Sequence, residues 1–434
     1  MITGLSYGFH DAAATRLTSD GEIVHAIHSE RYSKKKFDRN LHKYNPVGTT
    51  VFFERPFRKN LRRLYAGQSW KKQPKHDYYI DHHWSHAAAA YYTRPWNEEP
   101  VCVVVDAIGE WDTASIWFKK KKVWSMKYPK SLGLFYSAMT KAIGLKPMED
   151  EYITMGLAAF TDKSFDINPM DNYHKGVNLS KYSKEVIANT AQMNLEFELI
   201  KIMNHARRIS PYLCYGGGVS LNCVANTRIH NIFDKIWILP NPGDAGSSLG
   251  AAAAHLDKRI KFEHPYLGYN IIKELNVKKV VKHLLKYHFC GIANGRAEFG
   301  PRSLGNRSII ADPRIELKDT INSIKRRQKY RPFAPCILEE FGKEYFEGPM
   351  NEYMQFISKA KHDHKSVTHV DGTARVQVVN SNCKSIIRPI LEEWYEQTGC
   401  PMLLNTSLNI KGKPMVNDEK DANQFENLYG VKVF

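Results

Sequence analysis

The chain has 434 residues, 43% of them hydrophobic, and Lys plus Arg exceed Asp plus Glu by 17. That length exceeds one ordinary core and calls for two or three domains, while the apolar content excludes a disordered chain. No window approaches the roughly eighteen apolar residues of a membrane span, and the opening MITGLSYGFHD lacks the layout of a secretory leader.

The seven cysteines are scattered without CxxC spacing; Cys102, Cys214, Cys290 and Cys336 sit in apolar contexts. They read as reduced thiols of a cytoplasmic protein. The positive charge attracts polyanions, which fits nucleic acid and small phosphorylated substrates alike.

In chain order, ITGLSYG and EIVHAIHS read as strands flanking a turn that carries His10. SERYSKKKFDRNLHKY, with Lys36, reads as a basic loop. The segment 52–75 carries Arg55, Arg58, Lys59, Arg62, Arg63, Lys71 and Lys72 among Phe, Tyr and Trp residues. Positive charge interleaved with aromatics suits a phosphate backbone with stacked bases, or merely a solvated helix face. DHHWSHAAAAYYTRPW follows; on a helix His82 and His86, four apart, share one face, and His83 points elsewhere. Such a pair either binds a metal ion or simply begins a helix.

PVCVVVDAIGEWDTASIWFK reads as a hairpin whose first strand ends in Asp106, the place where α/β folds present functional groups. Lys119 to Lys122 form the next turn, either solvated or phosphate-facing. Residues 185–209 have helical period. PYLCYGGGVSLNCVANTRI reads as strand, glycine turn (Gly216, Gly217, Gly218, Asn222) and helix start. KIWILPNPGDAGSSLGAAAAHL repeats that layout with Gly243, Asp244 and Gly246. Backbone N–H groups at such turns suit phosphate oxygens, although glycines also merely permit turns. HPYLGYN reads as a linker near a domain boundary at residues 260/261, and no internal repeat appears. Beyond it, Arg296, Arg302, Arg307, Lys325, Arg326, Arg327 and Arg331 lie among glycines and prolines, and Thr406, Ser407 and Asn409 follow an apolar run. Guanidinium groups fork onto phosphates, and Ser and Asn supply neutral hydrogen bonds.

These stretches together resemble the ATP-dependent O-carbamoyltransferases of the nodulation-factor and antibiotic type. GFHDAAA, SERYSKKKFD, DHHWSHAAAA, VVVDAIGEWDTAS, YGGGVSLNCVANTRI, NPGDAGSSLGAA, RAEFGPRSLGNRSIIADPR, KYRPFAPCILEE and LLNTSLNIKGKPMV look like that family's motifs, in its order, from residue 4 to about residue 422. The resemblance implies an α/β protein with an actin-like ATPase-type domain, similar to the threonylcarbamoyladenosine synthase subunit, over 1–260. A YrdC-like α/β domain over 261–434 would make carbamoyl-adenylate from carbamoyl phosphate and ATP. The first domain would pass the carbamoyl group to an alcohol. By the same resemblance His82, His86, Asp106 and Asp244 would hold a divalent metal, iron or else magnesium. His10 would take the acceptor's proton, and Lys36 matches a basic catalytic position. Gly216, Gly217, Gly218, Asn222, Gly243 and Gly246 would line the nucleotide site. Arg296, Arg302, Arg307, Lys325, Arg331, Ser407 and Asn409 would hold carbamoyl phosphate.

The chain is shorter than the family's usual members, with losses between Glu54 and His82 and between Phe160 and Leu199, where acceptor contacts are expected. Phe37 and Ile153 stand where the family often has His and Lys. Trimmed loops, strong positive charge and the basic aromatic segment point to a 5-hydroxymethylpyrimidine acceptor, 5-hydroxymethylcytosine in DNA or a nucleotide, as in a bacteriophage with modified bases. A small-molecule sugar or antibiotic hydroxyl is the alternative, and a non-catalytic nucleic-acid-binding protein on this scaffold is a third. A homo-oligomer is compatible with the sequence, and no membrane partner is expected.

Overall fold

The computed structural model describes residues 1–42, 44–362 and 364–434. Its contacts form two compact units: residues 1–26 with 39–262, and residues 27–38 with 263–434. Lys36 therefore lies in the second unit.

The first unit holds two five-stranded sheets. One has the order β3 (Ile23–His28), β2 (Ala13–Leu17), β1 (Ile2–Ser6), β4 (Thr49–Phe52), β5 (Tyr78–Tyr79). β1 runs antiparallel to β2 and parallel to β4, with Ile2 opposite Leu17 and Thr49. The other contains β6 (Val101–Val105), β7 (Asp112–Phe118), β8 (Lys121–Lys127), β9 (Tyr212–Gly216) and β10 (Lys235–Ile238), ordered β8-β7-β6-β9-β10. β6 is antiparallel to β7 and parallel to β9. Both sheets have the same order, third, second, first, fourth, fifth, so the unit is a duplicated α/β layout, that of the actin-like ATPases. The sequence shows no repeat because the two halves share connectivity, not residues.

β6 reads VCVVV because all five of its side chains are buried. A strand covered on both faces takes a continuous apolar run. The helix His82–Thr93 begins where Asp81, extended at φ −60°, ψ 133°, accepts a hydrogen bond from the Trp84 N–H as its N-cap. It ends at Arg94, which precedes a proline and is held extended. Its alanines pack against the helix Ser247–Leu256, where the next glycine loop opens. A Cβ on Gly250 would lie 1.8 Å from the Ser85 carbonyl oxygen, so only glycine permits that crossing. The first of these helices lies on β6, β7 and β9, the second on β1, β2 and β4. The two alanine runs are thus the seam between the sheets, and the residues that open both helices meet there.

In the second unit, β11 (Tyr266–Ile271) pairs antiparallel with β13 (Gly295–Glu298). The segment HPYLGYN is thus mostly strand rather than linker; alternating Tyr266 and Gly268 suit pairing with β13. A five-stranded sheet has the order β12 (Phe289–Ala293), β14 (Arg307–Ala311), β20 (Met402–Ser407), β15 (Ala334–Leu338), β19 (Gln377–Val379). A small sheet joins β16 (Phe346–Glu347), β17 (Ser358–Ala360) and β18 (Thr373–Ala374). The helices Val277–Tyr287 and Ile387–Thr398 bring Val280, Leu284, Ile390 and Trp394 into one core with Ile292, Ile310 and Leu403. All seven cysteines are free thiols. Among the described residues no helix is long and apolar enough to cross a membrane.

Candidate metal centre and anion cluster

Four side chains from three elements converge in the first unit: His82 and His86 from the first turns of their helix, Asp106 from the residue after β6, and Asp244 from the loop after β10. One ligand atom from each lies within 4.8 Å of all the others. His82 Nε2 is 3.2 Å from Asp106 Oδ2 and 3.7 Å from Asp244 Oδ1. His86 Nε2 is 3.2 Å from Asp244 Oδ1, 3.5 Å from Asp106 Oδ2 and 3.2 Å from His82 Nε2. A divalent first-row ion with bonds of about 2.1 Å sets neighbouring ligand atoms roughly 3.0–3.4 Å apart, so the spacing fits such an ion. Imidazole nitrogen with carboxylate oxygen suits iron, zinc or manganese.

The surroundings aim these atoms. The His86 Nδ1–H donates to the Pro242 carbonyl at 3.1 Å, which turns Nε2 toward the cluster, where a bound ion would take the place of its proton. The Gly218 N–H donates to Asp106 Oδ1 at 3.1 Å, freeing Oδ2 for the histidines. His82 Nδ1 has no hydrogen-bond partner and faces Glu54 Oε2 at 3.8 Å. Burial pushes the His86 imidazolium down, but Asp106 and Asp244 outweigh it and hold its pKa at about 10. Burial raises the Asp106 carboxyl, and His82 and His86 reverse that to well below the usual range. Two buried carboxylates facing two imidazoles thus demand positive charge, from protons or from a cation. His83 turns away: Nδ1 lies 2.8 Å from Ser115 Oγ, and burial keeps it neutral. Glu54→Gln is expected to lower affinity for a divalent ion about 10–100-fold through the orientation of His82, read by metal titration.

His10, in the β1–β2 turn, places Nδ1 3.0 Å from Asp11 Oδ2 and Nε2 4.0 Å from Asp244 Oδ2. Burial lowers its pKa, but Asp11 and Asp244 raise it to about 9. Asp11 accepts from the Nδ1–H, so Nε2 faces the cluster; at that pKa Nε2 is protonated at neutral pH, and a cation bound by the cluster would lower the value and free Nε2 to accept a proton.

The second unit gathers Lys325, Ser407 and Asn409. Lys325 Nζ donates to the Ser407 carbonyl, to Ser407 Oγ at 3.2 Å and to the Asn409 carbonyl and Oδ1 at 2.9 and 3.0 Å. Burial first, then Arg327, Arg331 and Lys36, press its pKa well below the ordinary lysine value. Three flanking cations around a buried ammonium form a field that an anion relieves. Arg302 and Arg331 are half-buried in the same unit.

Other expected ligands have structural roles. Arg307 is fully buried, and its guanidinium donates to the carbonyls of Tyr269, Asn294, Gly295, Asn306 and Asn417, leaving no N–H for an anion. Arg296 donates to the carbonyls of Leu267 and Gly268 and ties β11 to β13. The N–H groups of Gly217, Gly218 and Gly246 donate to Pro242 O, Asp106 Oδ1 and Gly243 O, so these three are engaged in shaping the loops around the four side chains. Gly217, at φ +92°, brings its backbone against the Val105 carbonyl where a Cβ would sit 2.3 Å away. Gly216 ends β9 under the His86 carbonyl. Asn222 caps the helix Cys223–Ile229 and pairs with Gln192. The site around Gly243 stays open: a Cβ there meets only Leu221, at 3.9 Å.

In the basic segment, Arg62 is buried and donates to the Glu110 carbonyl, so it is no nucleic-acid contact. Lys59 pairs with Glu54, behind His82. Arg63 donates to the Ser69 carbonyl. Arg58, Lys71 and Lys72 are exposed, and Arg55 is half-buried. Glu54, Asp11, Pro242 and Glu298 contact the candidate residues or shape their loops, and the sequence reading assigned them no role. Glu298 Oε1 gathers the N–H groups of Leu304, Asn306 and Arg307 and so shapes the loop bearing Arg302. Glu54 had a signal, since it follows the apolar run Val51–Phe53 as Asp106 follows Val101–Val105.

The family model for the carbamoyltransferase N-terminus matches residues 45–175 and 171–253, and that for the carbamoyltransferase C-terminus matches residues 281–433. Nodulation protein NolO of Bradyrhizobium diazoefficiens is 31% identical over 414 residues, covering 79% of this chain and 75% of that protein. Nodulation protein NolNO of Sinorhizobium fredii is 27% identical over 520 residues, covering 95% of this chain and 76% of that protein. That alignment is longer than the 434-residue chain, so the relative carries segments that are missing here. Among solved structures, full-length HypF in its phosphate- and nucleotide-bound form is 15% identical, covers 59% of this chain and 55% of its own, and gives a TM-score of 0.37. The two family matches and the NolO likeness establish that the chain belongs to the carbamoyltransferase family and is an ATP-dependent carbamoyl-transferring enzyme.

Proposed function

We propose that the protein forms carbamoyl-adenylate from carbamoyl phosphate and ATP in its second unit and transfers the carbamoyl group in its first, to the 5-hydroxymethyl group of a pyrimidine in DNA or in a nucleotide. The observation that carries the transfer step is the convergence of His82, His86, Asp106 and Asp244, with His10 Nε2 at 4.0 Å from Asp244. The four side chains would hold a divalent ion, which when bound supplies Lewis acidity toward phosphate or carbonyl oxygen. His10 accepts the hydroxyl proton at Nε2 while Asp11 holds Nδ1–H and stabilises the imidazolium that results. Lys325, with Ser407 and Asn409, holds the anionic carbamoyl donor, and Arg302, Arg331 and Lys36 add to the field.

The acceptor reading is supported by an excess of 17 cationic residues and by exposed Arg58, Lys71 and Lys72 beside Phe57 and Trp70. The base would leave the helix to reach the cluster, at a few kcal/mol. The test incubates a 5-hydroxymethylcytosine duplex, its single strand, the free nucleotide and an aminoglycoside with ATP and carbamoyl phosphate, read by mass spectrometry. The expected result is a gain of one HNCO mass on the hydroxymethylated pyrimidine. A gain on the aminoglycoside alone would replace the DNA reading with the small-molecule one.

A further inference from the structure

Trp84 stands two residues from His82, about 200° around the helix, so it faces away from the metal cluster. There it forms one wall with Trp117 of β7, ring centroids 5.1 Å apart at 39°. Trp117 is fixed by its indole N–H, which donates to Ser115 Oγ at 2.8 Å. Trp84 and the buried Trp117 back a surface pocket of about 370 Å³ that Asp81, Arg55, Arg58, Lys120 and Lys122 also line. That volume is at the small end of the range for ligand pockets, about 300–1,000 Å³.

The four cations differ in availability. Lys122 Nζ is 2.5 Å from Asp112 and 5.2 Å from the Trp117 ring centroid, and Lys120 Nζ is 2.5 Å from Asp257. These two are matched by acids. The Arg55 guanidinium makes no hydrogen bond or ion pair among the described residues; only its backbone N–H is bonded, to Glu110. Arg58 is 52% exposed and reaches Asp81 and Glu110 only at 3.9 Å. The Arg55 fork thus stands open beside an indole wall, and Arg58 is held only at the outer limit of two ion pairs, with Asp81 itself in the lining. An inorganic anion would not use the wall, and a neutral aromatic would leave the forks unmatched.

We propose that this pocket is a second binding site, separate from the four-ligand cluster, for one nucleotidyl unit, its base against Trp84, which the buried Trp117 backs, and its phosphate on Arg55 and Arg58. Base–indole stacking contributes about 1–3 kcal/mol per base, and guanidinium takes phosphate oxygens in pairs. The site goes beyond the acceptor reading, since it takes a nucleotide whether or not its base bears a hydroxymethyl group. The unit comes either from free nucleotide or from a single strand.

The test is tryptophan fluorescence quenching by thymidine monophosphate and, separately, by a short oligothymidylate, without ATP or carbamoyl phosphate. Saturable quenching is expected with at least one, and which one identifies the source. Trp84→Leu should remove most of the quench, and the R55Q/R58Q double variant should weaken binding about tenfold or more with an unchanged melting temperature. The K71Q/K72Q variant, altered outside the pocket, should weaken it less. Absence of quenching with both ligands, unaltered affinity in R55Q/R58Q, or an equal loss in K71Q/K72Q would overturn the proposal. Because no carbamoyl group is transferred in this assay, its outcome is independent of the modification experiment.

Discussion

Asp244→Asn is expected to abolish carbamoyl transfer while leaving formation of the activated carbamoyl nucleotide intact. The substitution keeps shape and removes charge. Asp244 Oδ1 sits 3.2 Å from His86 Nε2 and 3.7 Å from His82 Nε2, so it is the carboxylate that closes the cluster opposite Asp106. Without it the donor set loses one anionic oxygen, and a divalent ion loses both a bond and a countercharge. Transfer should fall by about 10³-fold or more, equivalent to about 4 kcal/mol of barrier. Pyrophosphate release from ATP that depends on carbamoyl phosphate should continue, because Lys325, Ser407 and Asn409 belong to the other unit. The check is to measure both half-reactions on one preparation. Equal losses in both would contradict the division of labour.

Lys325→Met is expected to produce the reverse pattern. The ammonium is buried, with four oxygens of Ser407 and Asn409 around it, and its charge is opposed by burial and by Arg327, Arg331 and Lys36. Its protonated form is therefore poorly held in the free protein and well held beside an anion. Carbamoyl-phosphate-dependent pyrophosphate release should fall about 10³-fold or more, while bound metal stays as in the wild type. The sign of the pH dependence follows from the same depression. Since the lysine's pKa lies well below its ordinary value, raising pH removes the proton earlier than for a free lysine, and the attraction for the anion goes with it. The wild-type KM for carbamoyl phosphate should rise with pH, and the methionine variant should lose that rise. A KM independent of pH in the wild type would contradict this role for the ammonium.

Much of the four-residue cluster was legible because its residues obey local rules. The i, i+4 spacing of His82 and His86 needs only a helix, and Asp81 supplies its cap. Asp106 follows a fully apolar strand, and Asp244 lies in a glycine turn opening an alanine helix. The joining of Lys325 with Ser407 and Asn409, more than eighty residues on, was legible only through the family resemblance. The arginines were harder. Arg302 and Arg307 stand in one motif, yet Arg307 is enclosed by five carbonyls. Nothing local tells a guanidinium that gathers loop carbonyls from one that waits for phosphate. The glycine turns pose a similar difficulty, since the N–H of Gly218 meets an internal carboxylate while the space around Gly243 is open. The duplicated sheet order escaped notice because connectivity leaves no trace in residue identity. The pairing of Trp84 with Trp117 depends on a contact between a helix and β7 that no spacing announces.

Elemental analysis of the purified full chain, beside its transfer rate, tests the central claim most directly. The account predicts about one divalent ion per chain, released together with transfer activity when His86 or Asp244 is replaced, and both restored to the stripped wild type by adding the ion back. Full transfer by a chain that holds no stoichiometric ion, or an ion retained unchanged after loss of His82, His86, Asp106 and Asp244, would contradict it.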